Sequence, residues 1–135
     1  AQAVGRPLSS LRDAVVAARE LRLLGAGTVV VSLGSDGALL VDEDGVLHAE
    51  AFVAAPRSTV GAGDALLAGY LAGTLTADGE RAAALREAVA WGSAALRLDG
   101  SRVPVITDAD RESVVLHSTP DLERRLRERV AAGPR

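Results

Sequence analysis

The spacing of apolar positions changes several times along the chain, and each change marks an element. The stretch "SSLRDAVVAARELRLLGAG" places Leu11, Val15 and Ala18 about one helical turn apart and predicts a helix. Ser10 with Asp13 three positions on fits a capping box at its start, and Gly25 or Gly27 stops it. The period is then lost. "TVVVSL", residues 28–33, is β-branched and almost wholly apolar, which suits a strand covered on both faces, as in a parallel sheet. Helix, short glycine loop and buried strand in that order make half of a β-α-β unit.

"GSDG" at residues 34–37 predicts a turn, "ALLVD" a second strand, "EDG" a hairpin turn and "VLHAEAF" a third strand. His48 falls in that third strand. It reads as an exposed strand residue rather than a catalytic one, because no partner acid or nucleophile stands near it in sequence. "VAAPRS" is a connector in which Pro56 prevents regular pairing. Beyond it a helix is expected from about residue 62–64 to about residue 76. A second runs from about residue 80 to about residue 98, with Ala84, Leu85, Ala88, Val89 and Trp91 or Gly92 on its buried side. Residues 99–104 form a loop, and a short strand is expected at residues 113–117. A charged terminal helix should begin at Pro120 or Asp121, its mixed charges suiting a solvated face or a contact with a second subunit.

Composition narrows the classes. A length of 135 residues suits one domain, and 48% apolar residues supply a core, which excludes a disordered chain. Aromatics are only 2%, so alanine, leucine and valine must build that core. Net charge is −3 with scattered basic residues and no basic stripe, so no nucleic-acid partner is expected. There is no cysteine for a disulfide or a thiolate metal site. No apolar run approaches the roughly 18 residues of a membrane span, so no membrane partner is expected. The first ten residues lack a secretion signal and an initiator Met. A cytoplasmic location is the default, and the chain is expected to be a piece of something longer. All 15 basic residues are arginine, so any lysine needed to hold a phosphate must come from elsewhere.

The chemistry concentrates at "STVGAGDALLAGYLAG", residues 58–73. The first turn of a helix exposes backbone N–H groups without partners, and the helix dipole adds positive charge there. Gly61, Ala62 and Gly63 would let an anion approach that backbone closely. Asp64, in the same turn, could take the proton from an attacking hydroxyl while the N–H groups hold the charge of the group being transferred. The competing reading is that Asp64 only complements the helix dipole and the glycines only make a turn. No G-x-x-x-x-G-K-[ST] and no G-x-G-x-x-G is present, so two familiar phosphate loops are excluded.

The whole string resembles the C-terminal signature of the ribokinase-like (pfkB) sugar kinases. Upstream, "VVVSLGSDGALLV" looks like the strand–turn–strand that lies against the nucleotide in that family. Downstream, "AVAWGSAALRLDGSRVP" looks like the helix and loop bordering the adenine pocket. Within the family the sequence is most similar to 1-phosphofructokinases and their tagatose-6-phosphate kinase relatives. "VGRPLSSLRDAVVAARELRLLGAGTVVVSLG" is similar to the segment following their lysine–proline–asparagine stretch, so the likeness covers roughly residues 4–104.

The resemblance implies a ribokinase-like three-layer α/β/α fold, present as its C-terminal portion. Residues 1–108 would belong to the kinase domain, and residues 109–135 would be a C-terminal strand, helix and tail. It implies ATP-dependent phosphoryl transfer to a sugar-phosphate hydroxyl, above all conversion of fructose 1-phosphate to fructose 1,6-bisphosphate, with ATP and Mg2+ and in some members K+. Asp64 would be the catalytic base, and Gly61, Ala62 and Gly63 the anion hole. Ser32, Gly34 and Gly37 would line the nucleotide, glycine admitting close backbone approach. Ser93 would sit near the adenine or serve as a small helix-packing residue. Backbone around Ser58, Val60, Gly100 and Arg102 would hold the monovalent cation. A homodimer is implied as well. Family members are about twice this length, and the half absent here supplies the sugar-phosphate site, the lid and the Mg–ATP asparagine and acid. Two alternatives stay open: another sugar or nucleoside kinase of the family, and a non-catalytic nucleotide-binding or interaction module.

Overall fold

A computed structural model describes residues 7–53, 62–76, 80–97 and 105–131. The order of elements is β1 (Pro7–Ser10), α1 (Leu11–Leu23), β2 (Val29–Ser32), a 3-10 turn (Gly34–Asp36), β3 (Ala38–Asp42) and β4 (Gly45–Glu50). Then follow α2 (Ala62–Thr76), α3 (Arg81–Leu96), α4 (Asp108–Glu112), β5 (Val115–His117) and β6 (Arg125–Ala131).

The capping box predicted from Ser10 and Asp13 is present. The Ser10 hydroxyl accepts from the Asp13 N–H, and the Asp13 carboxylate accepts from the Ser10 N–H. Gly25, at φ +116°, follows the end of α1. One four-stranded sheet runs β2-β3-β4-β5, and each neighbouring pair is antiparallel. Here the parallel arrangement expected for residues 28–33 is corrected. β2 pairs with β3 through the tight turn at 34–37, and only antiparallel strands can be joined so shortly. Its burial alternates, whereas β3 is the strand covered on both faces.

Period-two alternation sorts the sheet into its two faces. Val29, Val31, Leu39 and Val41 meet Leu11, Ala14, Val15, Ala18 and Leu21 of α1 and its N-terminal flank. Ala38, Leu40, Leu47 and Ala49 meet Leu85, Ala88 and Val89 of α3, with Leu66 of α2 reaching the same cluster. The layers are therefore α1, sheet, and α3 backed by α2. Along α2 the residues Leu67, Leu71 and Leu75, four apart, are exposed and form one apolar stripe. No helix among the described residues is long and apolar enough to cross a membrane.

The charged terminal helix is the second correction. Residues 125–131 are a strand pairing antiparallel with β1. Leu122 and Leu126 have helical spacing, but Leu122 stands in a turn and Leu126 in the strand, and both pack against the α1 core. The reason lies in unsatisfied donors. The first N–H groups of α1 have no intrahelical acceptor. Leu11 N–H donates to the Arg124 carbonyl at 2.9 Å and Arg12 N–H to the Leu122 carbonyl at 3.0 Å. A helix would have spent those carbonyls on itself.

Candidate functional site

The candidate site starts at the first turn of α2. Asp64 is exposed there, and a Cβ added to Gly63 would meet nothing within 4 Å among the described residues. Small residues fix where that helix sits. A Cβ at Gly69 would lie 2.6 Å from Trp91 Cγ and 2.8 Å from the Glu87 carbonyl, and one at Gly73 would lie 2.7 Å from Ala84 Cα. Gly92 of α3 stands close to Leu66 and to the Ala62 carbonyl. The two helices thus meet almost backbone to backbone, which holds the turn carrying Asp64 against the C-terminal half of α3. α3 is itself anchored by Glu87. Its carboxylate accepts from Trp91 Nε1 at 3.0 Å and from Arg111 Nε at 2.9 Å, and the Arg111 hydrogen bonds hold its carboxyl below the usual range.

Of the other residues named from sequence, Ser32 is half-buried at the end of β2, paired with Ala38. Gly34 is exposed with φ +61° and opens the 3-10 turn, and Leu33 N–H closes that turn onto the Gly37 carbonyl at 2.8 Å. Gly37 is buried, and the backbone crowding it is the protein's own: an added Cβ would stand 1.9 Å from the Ala49 carbonyl oxygen. Ser93 is buried in α3, its hydroxyl donating to the Val89 carbonyl at 2.7 Å. That is the bonding of a small residue in a helix contact, and its neighbour Gly92 makes the contact with α2. Gly61, Ser58, Val60, Gly100 and Arg102 lie outside the described residues, as does Pro56.

A cluster that sequence reasoning missed lies on the α1 side of the sheet. His48 is 1% exposed, which corrects its reading as an exposed strand residue. Its Nε2 bonds the Asp36 carbonyl at 2.8 Å, and burial holds its imidazole below the ordinary 6.5. Arg124 reaches from the extended C-terminal segment to Asp36 Oδ1 at 2.8 Å and grips Glu50 with both terminal nitrogens. His117 Nε2 completes the set at 2.8 Å from Glu50 Oε2. The available signal was that both histidines of the chain fall in predicted strands, with Glu50 two residues beyond His48 on the same face.

This cluster gives a pH prediction. Hydrogen bonds from Arg124 pull the Glu50 carboxyl from 4.5 down to about 2, against the opposing effect of burial. A depressed carboxyl contributes stability that is fully present above the unfolded value of 4.5 and is lost as pH falls toward 2. The shift corresponds to about 3 kcal/mol. The urea midpoint should therefore fall steeply in that interval. Glu50→Gln, less stable at neutral pH, should lose less over the same interval. Equal acid sensitivity in both proteins would contradict the assignment.

Comparison with known proteins matches residues 1–108 to the model of the pfkB family carbohydrate kinases. The chain belongs to that family. It is 45% identical over 112 residues to the 1-phosphofructokinase of Haloferax volcanii, covering 80% of this chain and 35% of that protein. Phosphofructokinase-2 from Escherichia coli in complex with potassium superposes with a TM-score of 0.63 at 35% identity, over 74% of this chain and 32% of that one. Aminoimidazole riboside kinase from Salmonella enterica, complexed with aminoimidazole riboside and an ATP analog, gives 0.59 at 34% identity, over 69% and 33%. The chain thus spans about a third of the length of these relatives. Its layer order, α1 against the sheet against α3 and α2, is a partial form of the α/β fold of these kinases.

Proposed function

We propose that this chain is the catalytic end of an ATP-dependent sugar-phosphate kinase whose acceptor is fructose 1-phosphate and whose product is fructose 1,6-bisphosphate. The observation that carries the reading is the first turn of α2, where exposed Asp64 stands beside Gly63, whose face no described residue covers, on a helix locked against α3. The N–H groups of that turn and the helix dipole favour an anion there, and no described side chain fills the space. ATP, with Mg2+, would supply the phosphoryl group, and K+ would sit near residues 58–60 and 100–102. Asp64 takes the proton of the sugar hydroxyl, and the N–H groups of Ala62 and Gly63, with Gly61, stabilise the negative charge alongside. Ser32 and exposed Gly34 form the nucleotide side, with buried Gly37 shaping the turn and buried Ser93 packing α3 behind them. The sugar-phosphate residues belong to the two-thirds of the relatives' length that this chain does not span. The stripe at Leu67, Leu71 and Leu75 is the surface such a portion would cover. A homodimer of the complete protein is part of the same proposal.

The test is an ATP-coupled assay of the complete gene product, with fructose 1-phosphate, tagatose 6-phosphate, fructose 6-phosphate and ribose as acceptors. We expect kcat/KM for fructose 1-phosphate to exceed the others by at least about tenfold. Turnover on none of the phosphosugars would sink the reading. The alternative reading is a nucleotide-binding module without turnover. ATP binding by calorimetry with no phosphoryl transfer from the complete product would select it.

A further inference from the structure

The two histidines of the chain face one another across the sheet, His48 of β4 in register with His117 of β5, their rings stacked 5.3 Å apart. Glu50 follows on the same face. One ligand atom from each of His48, Glu50 and His117 lies within 4.8 Å of the others. We propose that these three side chains bind a divalent transition-metal ion of the zinc class and so pin β5 to β4.

The donor set fits that class. Two imidazoles and one carboxylate suit Zn2+, Co2+ or Ni2+, whereas Mg2+ and Ca2+ want oxygen ligands alone. Metal-binding histidines usually donate their other ring N–H to a carbonyl or carboxylate, which fixes the tautomer. His48 has that support. Its Nε2 lies 2.8 Å from the Asp36 carbonyl, a pure acceptor, so Nε2 carries the proton and Nδ1 keeps its lone pair. Glu50 is held by Arg124 Nη2 on Oε1 at 2.8 Å, leaving Oε2 directed toward His117 Nε2 as well as Arg124 Nη1. The proton shared between His117 and Glu50 is what the ion would replace.

Charge does not forbid it. Arg124 is positive, but the carboxylates of Glu50 and Asp36 both face it, so with neutral histidines the cluster is net negative. Ligands around zinc stand about 3.3 Å apart, from bond lengths near 2.0–2.1 Å. Closing from 4.8 Å requires one of the two stacked rings to turn so that both lone pairs meet at the ion; His117, with a side chain 38% exposed, is the ring placed to turn, and it gives the ion a way in.

The test is calorimetric titration of ZnCl2 into tag-free protein cleared of metal by a chelator, repeated on His117→Gln. Saturable one-to-one binding is expected, weakened at least about tenfold in the variant, which keeps a donor for Glu50. No saturable binding, or equal affinity in both proteins, overturns the proposal. Should the variant lose its far-ultraviolet circular dichroism, Co2+ added to the unsubstituted protein decides. Intense visible d–d bands support a low-symmetry histidine–carboxylate site, and their absence overturns it.

Discussion

Gly37→Ala should destabilise the protein by about 2–6 kcal/mol, most of the margin of an ordinary domain. Two costs add. Gly37 has φ +88° and ψ −129°, a conformation that L side chains rarely adopt. Its missing Cβ would also stand 1.9 Å from the Ala49 carbonyl oxygen and 2.8 Å from Glu50 Cα, so β4 would have to move. β4 cannot yield cheaply. Ala49 is paired with Ala38, its side chain is fully buried against the α3 cluster, and Glu50 next to it is gripped by Arg124. Thermal unfolding followed by circular dichroism measures the effect. A loss under about 1 kcal/mol would mean that the strand gives way more easily than its register and ion cluster allow.

The same residue shows how far the sequence could be read. "GSDG" announced a turn, and glycine at its last position was expected to make room for a nucleotide. The room it makes is taken by the backbone of β4, twelve residues on, and nothing local in the sequence reports that approach. α1, α2 and α3 were legible because capping, glycine stops and apolar spacing are local signals. Ser10 and Asp13 mark the first start, and Ala84, Leu85, Ala88 and Val89 mark the buried side of α3. β6 was not legible. Leu122 and Leu126 keep helical spacing, and what draws the segment out of a helix is a need elsewhere, the N–H groups of Leu11 and Arg12 that have no acceptor within α1. His48 was misplaced for a related reason. Its partners, Asp36 at the turn and His117 far along the chain, and the Glu50–Arg124 pair beside them, are assembled only by the fold.

The candidate site divides the same way. Its acid and its small residues stand together in one short string, so their chemistry could be argued from spacing alone. That Gly69, Gly73 and Gly92 lock the two helices together could not, because it depends on which helix faces which.

Asp64 carries the central claim. As general base it should contribute about 10²–10⁴ in rate, or about 3–5 kcal/mol of barrier. As a mere complement to the helix dipole it would contribute some tenths of a kcal/mol to stability and nothing to turnover. Asparagine keeps the shape, suits the start of a helix and cannot take a proton, and the exposed position of Asp64 lets the change leave the fold intact. The deciding measurement is kcat of Asp64→Asn in the complete gene product, with ATP affinity measured on the same preparation. A fall of at least about a hundredfold in kcat, with ATP binding kept within a few-fold, is the predicted result. Turnover within about threefold of the unsubstituted protein would contradict it and leave Asp64 as a helix cap.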